Sequence, residues 1–225
     1  VTAAAAGPLA GKLVVLDPGH NGGNADNPDP LDERVPNGRG GTAGCNSTGT
    51  STDDNYAEHA FNWSVAQHAR SLLEDQGASV RLTRGDNDGV GPCVDRRAAI
   101  GNTAGADVVV SIHADGADSD EHGFHVIYND PPLNDAQAGP AVRLASVLRD
   151  AMVEQGHQPA TYLAGAGIAT RDDLANLNLS TRPTVLIECI NMRNPVEAER
   201  AASEEGRADY ARGIAEGIRQ YLAGG

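Results

Sequence analysis

Three stretches of this chain are apolar on successive residues rather than on alternate ones. They are KLVVL (12–16), the centre of ADVVVSIHAD (106–115) and the centre of TRPTVLIECI (181–190). A strand that is apolar on both faces has to be covered on both faces, as in parallel sheets packed between helices. The intervening segments supply those helices. Ala57, Phe61, Val65, Ala69 and Leu72 recur at helical spacing, which predicts a helix from about Asn55, capped by Thr52, Asp53 or Asp54 and ended by Gly77. SVRLTR (79–84) and GFHVIY (123–128) predict further strands, and 94–104 and 141–155 further helices. Asn194-Pro195-Val196-Glu197 predicts a cap, a proline at the first helical position and a capping-box Glu, with Ala211, Ile214, Ala215, Ile218 and Leu222 as that helix's apolar stripe. Strands alternating with helices predict a single α/β domain: a mostly parallel twisted sheet flanked by helices on both faces. Residues 1–11 are expected to be an N-terminal tail, and 12–225 the folded domain. Residues 21–52, rich in Gly, Asn, Asp, Pro and Thr, predict a long irregular loop, and loops of that length are usually functional. There is no internal repeat.

Composition limits the partners. The 225 residues suffice for one sizeable core, but only 4% are aromatic, so Val, Leu, Ile and Ala must fill it. A net charge of −14 disfavours nucleic acid, whose phosphates need Lys and Arg, and disfavours docking on an anionic membrane. No apolar run approaches the roughly 20 residues of a spanning helix. Of the three cysteines, Cys45 and Cys93 lie in Gly/Pro-rich loops and Cys189 in an apolar strand. A Cys45–Cys93 disulfide with Cys189 as a buried thiol is expected, which suits an exported protein; three free thiols in a cytosolic protein is the alternative. The small residues of Val1-Thr2-Ala3-Ala4-Ala5-Ala6-Gly7 also fit a signal-cleavage site.

In α/β sheets, sites gather at the carboxyl ends of the strands. His20 follows the strand 12–16 in LDPGH, His113 ends the strand in VVVSIHAD, and Glu188 ends the one in PTVLIEC. Glu58 stands near the start of a helix, and a helix of an α/β unit is entered from that same edge. Singly, His20 reads as a turn residue and Glu58 as a solvated first-turn Glu. Glu188 is less easily dismissed, because an unpaired carboxylate after Val185, Leu186 and Ile187 is costly to bury. Jointly, two imidazoles and two carboxylates converging on one edge are what a catalytic zinc site needs: three N/O ligands, a vacancy for water and one carboxylate left to move a proton.

The remaining polar features carry less. His59 and His68 read as surface residues, and His122, His125 and His157 as structural ones. GRGGTAG is not a dinucleotide loop, since no strand precedes it and no helix follows. No GxSxG elbow is present, and the sequons at Asn46, Asn62 and Asn178 carry no weight. EAERAASEE reads as a solvated helix face.

From about residue 12 to 222 the chain resembles the zinc-dependent N-acetylmuramoyl-L-alanine amidases of the amidase type 3 family. The matching segments are LVVLDPGHNG, EHAFNWSVAQHARSLLEDQGASVRLTR, VDRRAAIGNTAGADVVVSIHAD and RDDLANLNLSTRPTVLIECINMRNPVEAE. The resemblance implies that His20, Glu58 and His113 bind Zn2+ and that Glu188 is the catalytic carboxylate. It implies cleavage of the amide between muramic acid and L-alanine, in peptidoglycan or muropeptides, by a secreted or cell-envelope protein, here expected to be a monomer with no nucleic-acid or membrane partner. A related zinc peptidase and an inactive peptidoglycan-binding module are the alternatives. The chain departs from the family pattern in its long stretch after His20 and at Asp115, Cys189 and Asn191, none of them a ligand. No acidic helix between 125 and 160 stands ready to plug the site, so an open catalyst is expected.

Overall fold

The computed structural model describes residues 7–224. The expected cleavage site at residues 1–6, and with it part of the expected tail, lies outside the described residues. Within the rest of that tail, Leu9 is 1% exposed and joins the main core, and its N–H donates to the Gln76 carbonyl at 3.0 Å. Packing therefore begins before Lys12.

In chain order the elements are β1 (Leu13–Pro18), α1 (Pro28–Asp32), β2 (Arg34–Pro36), β3 (Thr42–Gly44), α2 (Glu58–Asp75), β4 (Ser79–Leu82), α3 (Val94–Ala104), β5 (Val108–Asp115), β6 (His125–Asn129), α4 (Val142–Glu154), β7 (Ile168–Arg171), α5 (Ala175–Asn178), β8 (Thr184–Asn191), α6 (Pro195–Ala202) and α7 (Glu204–Ala223). Six strands form one sheet in the order β4-β1-β5-β8-β6-β7. The first four run parallel; β6 is antiparallel to β8, and β7 runs parallel to β6. The sheet is thus mostly parallel, as expected.

Successive residues of a strand point to opposite faces, and here the two faces have different duties. Val14 and Leu16, Val110 and Ile112, and Val185, Ile187 and Cys189 face the larger core, which α2, α4 and α7 cover. Val15, Val109 and Leu186 face the other way, into two small apolar clusters near α3 and α5. Continuing along the strands, this second face presents Asp17, Ser111, His113 and Glu188. The thinly covered face is therefore where polar side chains can reach a cavity.

Several local expectations are corrected. Residues 21–52 are not irregular: α1 and the β2–β3 hairpin lie within them, anchored by buried Leu31 and Val35. Arg39, at the hairpin tip, donates to Asn129 Oδ1 (2.8 Å) and to the carbonyls of Pro131 (2.6 Å) and Asp172 (2.8 Å). Helix α2 starts at Glu58 without a side-chain cap; Thr52 Oγ1 instead accepts from Tyr56 N–H at 2.9 Å, closing the turn before it. The last helix is two. Asn194 caps α6 as expected, but extended Ser203 ends it and its Oγ caps α7 through Gly206 N–H, so EAERAASEE is not one helix face. Glu197 does not close a capping box; it accepts from the N–H groups of Gly123 and Asn191. Strand β7 and helix α5, four residues each, are too short to leave a periodic signal.

Cys45 and Cys93 are bonded and Cys189 is a buried free thiol, as expected. The bond spans a sequence separation of 48 and ties the end of the hairpin to the start of α3. Among the described residues no helix is long and apolar enough to cross a membrane. Replacing both bonded cysteines with serine should lower the unfolding free energy by about 2–4 kcal/mol, because the open chain regains loop entropy when unfolded. Urea denaturation of the two forms measures this; identical midpoints would show that the bond does not constrain the chain.

Candidate functional site

The β1 strand ends on Asp17-Pro18, and the turn after it places His20 over the carboxyl edge of the sheet with a φ of +58°. Gly19 is required at that turn by close approach: a Cβ there would lie 2.2 Å from Cε1 of His113. His113 reaches the same edge from β5. Glu58, the first residue of α2, points its carboxylate back over the edge from the opposite layer.

The three side chains meet. His20 Nε2 and His113 Nδ1 lie 3.1 and 2.9 Å from one atom, Glu58 Oε1, and the imidazole rings stand edge to face at 4.9 Å. Glu58 Oε1 also accepts from Asn62 Nδ2 (3.1 Å) and Ala114 N–H (3.2 Å), and Oε2 from Thr50 N–H (2.9 Å). The carboxylate is 3% exposed. Burial alone would raise its pKa, but the two imidazoles outweigh burial and hold it well below the usual carboxylate range.

The donor set fits a divalent cation. His20 Nδ1 lies 3.0 Å from the Ser47 carbonyl, which can only accept, so Nδ1 carries the hydrogen. Nε2 is thereby left as the nitrogen aimed at Glu58 Oε1, the place where a cation would be shared by the two groups. Two nitrogens and a carboxylate oxygen, all within 4.8 Å of one another, could serve as three ligands to one ion and leave further positions open.

Glu188 stands apart from this trio. On β8 it is the direct register partner of His113 and lines the same cavity of about 440 Å³. Its side chain is half-buried, and its Oε2 atom is buried with no hydrogen-bond partner. Burial pushes its pKa well above the ordinary value, and repulsion from Glu58 and Asp115 adds to this, while Arg171 opposes it. All four expected residues are thus gathered, three as a cluster and the fourth beside it. Of the segment 125–160 only Ile127 lines the cavity. Among the other histidines, His59 Nδ1 meets Asn87, His68 meets Glu204, and His157 stacks on Tyr210 at 4.4 Å.

Sequence reasoning missed the support beneath the site. Buried Arg97 donates to Asp17 Oδ1 (2.8 Å) and to the carbonyls of Pro18 (2.7 Å), His20 (2.7 Å) and Pro92 (2.9 Å). Arg84 adds a second bond to Pro18 at 2.9 Å. Asp17 also accepts from Thr83 Oγ1 (2.6 Å) and Ser111 Oγ (2.7 Å). Against the upward push of burial, Arg97 and these hydroxyls bring its pKa down to about 2. The signal was present: an Asp directly after the apolar run LVVL needs a buried partner.

A family model described as N-acetylmuramoyl-L-alanine amidase matches residues 14–220. The chain is 42% identical over 215 residues to the N-acetylmuramoyl-L-alanine amidase Rv3717 of Mycobacterium tuberculosis, covering 96% of this chain and 88% of that protein. It is 46% identical to the crystal structure of the amidase Ami1 of Mycobacterium smegmatis, with a TM-score of 0.94 over 96% of this chain and 99% of that one. The apo form of Ami1 of Mycobacterium abscessus gives 46% and 0.92 over 95% and 100%.

The Asp17 network predicts an acid transition. Asp17 titrates lower in the folded chain than its ordinary value of 3.8, so the stability it contributes is complete above about pH 4 and is lost as pH falls toward 2. The shift corresponds to about 2 kcal/mol. Unfolding free energies across that range should show this loss in the native chain and not in Asp17→Asn; parallel curves would disprove it.

Proposed function

The chain belongs to the N-acetylmuramoyl-L-alanine amidase family, and from that membership we propose a zinc-dependent mechanism in which His20, Glu58 and His113 hold the ion and Glu188 moves the proton. The activity itself is that of a peptidoglycan amidase: water is added across the amide that joins N-acetylmuramic acid to L-alanine. The observation that carries the proposed site is the convergence of two imidazole nitrogens on one buried carboxylate oxygen, with a second carboxyl in register one strand away.

Zinc, when bound, supplies Lewis acidity, polarising a carbonyl and making water a better acid. The chain's own residues do the rest. Ser47 orients His20, while Asn62, Ala114 and Thr50 orient Glu58, so the ligands are held before any ion arrives. Glu188 takes a proton from the attacking water as the new C–O bond forms at the lactyl carbonyl. It returns that proton to the alanine nitrogen as the C–N bond breaks. A carboxyl whose pKa is raised by enclosure suits this work, because it holds the proton long enough to deliver it.

Residues 12–225 act as one catalytic domain, with the excursion at 21–52 forming a wall of the cavity through Ala43, Gly44 and Ser47. All four side chains come from one copy, so a monomer suffices. The disulfide and a wall substrate together favour a place outside the cytoplasmic membrane.

Glu188→Ala should keep its zinc and lose about 10²–10⁴-fold in turnover on a muramyl peptide, whereas His113→Ala should lose the metal itself. Elemental analysis alongside mass spectrometry of the products checks both. The native product should carry a free L-alanine amine. Retained turnover in Glu188→Ala, or full zinc in His113→Ala, would overturn the assignment of that residue.

A further inference from the structure

One buried histidine beside the site is left unused by this mechanism. His125 on β6 pairs directly with Glu188 on β8, and Glu188 pairs directly with His113 on β5. Directly paired residues project from the same face, so His113, Glu188 and His125 form one row across three adjacent strands. The next row on that face is Ser111, Leu186 and Ile127, of which Leu186 and Ile127 line the catalytic cavity. His125 is 5% exposed, and its Nδ1 has no hydrogen-bond partner. Its neighbour in the row, Glu188, has the same deficit at Oε2. Two unpartnered buried polar atoms on directly opposed residues are costly apart and complementary together.

We propose that His125 is a positioning residue for the reaction, donating a hydrogen bond from Nδ1 to Glu188 Oε2 and so fixing the carboxyl that carries the proton. The two atoms are not bonded in the structure, but opposed Cβ atoms of an antiparallel pair lie about 4.5–5.5 Å apart, so a turn of the Glu188 carboxyl about its side-chain bonds would bring Oε2 to Nδ1. The ring is itself held in place. Tyr162 packs edge-on against it at 5.9 Å, and the Tyr162 hydroxyl donates to Asp115 Oδ2 at 3.1 Å. Of the charged groups near the imidazole, Asp115 comes from β5 and Arg171 from β7; burial dominates both and lowers the His125 pKa to about 4. The ring is therefore neutral at pH 7, with one N–H to give. This role rests on the assignment of Glu188 as proton carrier.

The test uses the zinc-loaded full chain with His125→Ala and His125→Asn, the latter retaining a donor close to the place of Nδ1. His125→Ala should lower kcat about tenfold with KM within about twofold and zinc content unchanged, and His125→Asn should recover most of the loss. In the native chain the Nδ1 proton should give a downfield, slowly exchanging NMR signal that Glu188→Leu abolishes. An unchanged kcat in His125→Ala, equal impairment of the two variants, or a signal indifferent to Glu188→Leu would overturn the proposal. Glu188→Ala in parallel separates the two ideas. If it stays active, the proton-carrier assignment falls; if it is inactive while His125→Ala is normal, only the role of His125 falls.

Discussion

A carboxylate enclosed to 3% exposure keeps its charge only when its surroundings supply the compensation that water would have given. Glu58 obtains it from four separate pieces of chain: His20 in the turn after β1, His113 and Ala114 at the end of β5, Asn62 one turn along α2, and Thr50 in the loop before it. Remove any of these and an anion remains buried with fewer partners. The cluster is therefore more than a set of side chains placed on a finished scaffold. Its central carboxylate fastens the helix layer to the carboxyl edge of the sheet.

The sheet does the complementary work through its two-residue period. Cys189 and Glu188 are neighbours in sequence, yet one packs among Leu and Ile side chains of the main core and the other enters the cavity. The same alternation separates Ile112 from His113. A slip of one residue in the pairing of β8 would exchange these roles, putting a carboxyl in the core and a thiol in the cavity. Register therefore decides which of the two side chains reaches the cavity, and the contrast between the apolar core face and the more polar cavity face is what enforces it.

Segments without regular structure are held by guanidinium groups instead. Arg97 gathers the carbonyls of Pro18, His20 and Pro92, and so joins the turn that bears a candidate ligand to the loop beside the disulfide. Arg39 does the same for the β2–β3 hairpin, seating it across from β6 and α5. A planar fork of donors suits this task, since carbonyls in loops have no ladder to accept them.

Much could be read from the sequence alone, because the relevant signals are local. Continuous apolar runs imply strands covered on both faces, and in a parallel sheet the residues that end such runs share the carboxyl edge. That reasoning brought His20, His113 and Glu188 to one edge, and the first-turn position of Glu58 brought it there as well. The positions of Cys45 and Cys93 in loops made them the expected pair, with three free thiols as the alternative that the structure removes. Sequence did not carry whatever depends on partners far away in the chain: the break at Ser203, the hairpin within 21–52, the place of Arg97 under the turn, and the row that sets His125 beside Glu188. His125 was read as structural because a histidine in a strand has no local mark of function. Only strand order makes β6 the neighbour of β8, and strand order follows from which faces can be buried together, a property of the whole fold and of no single segment.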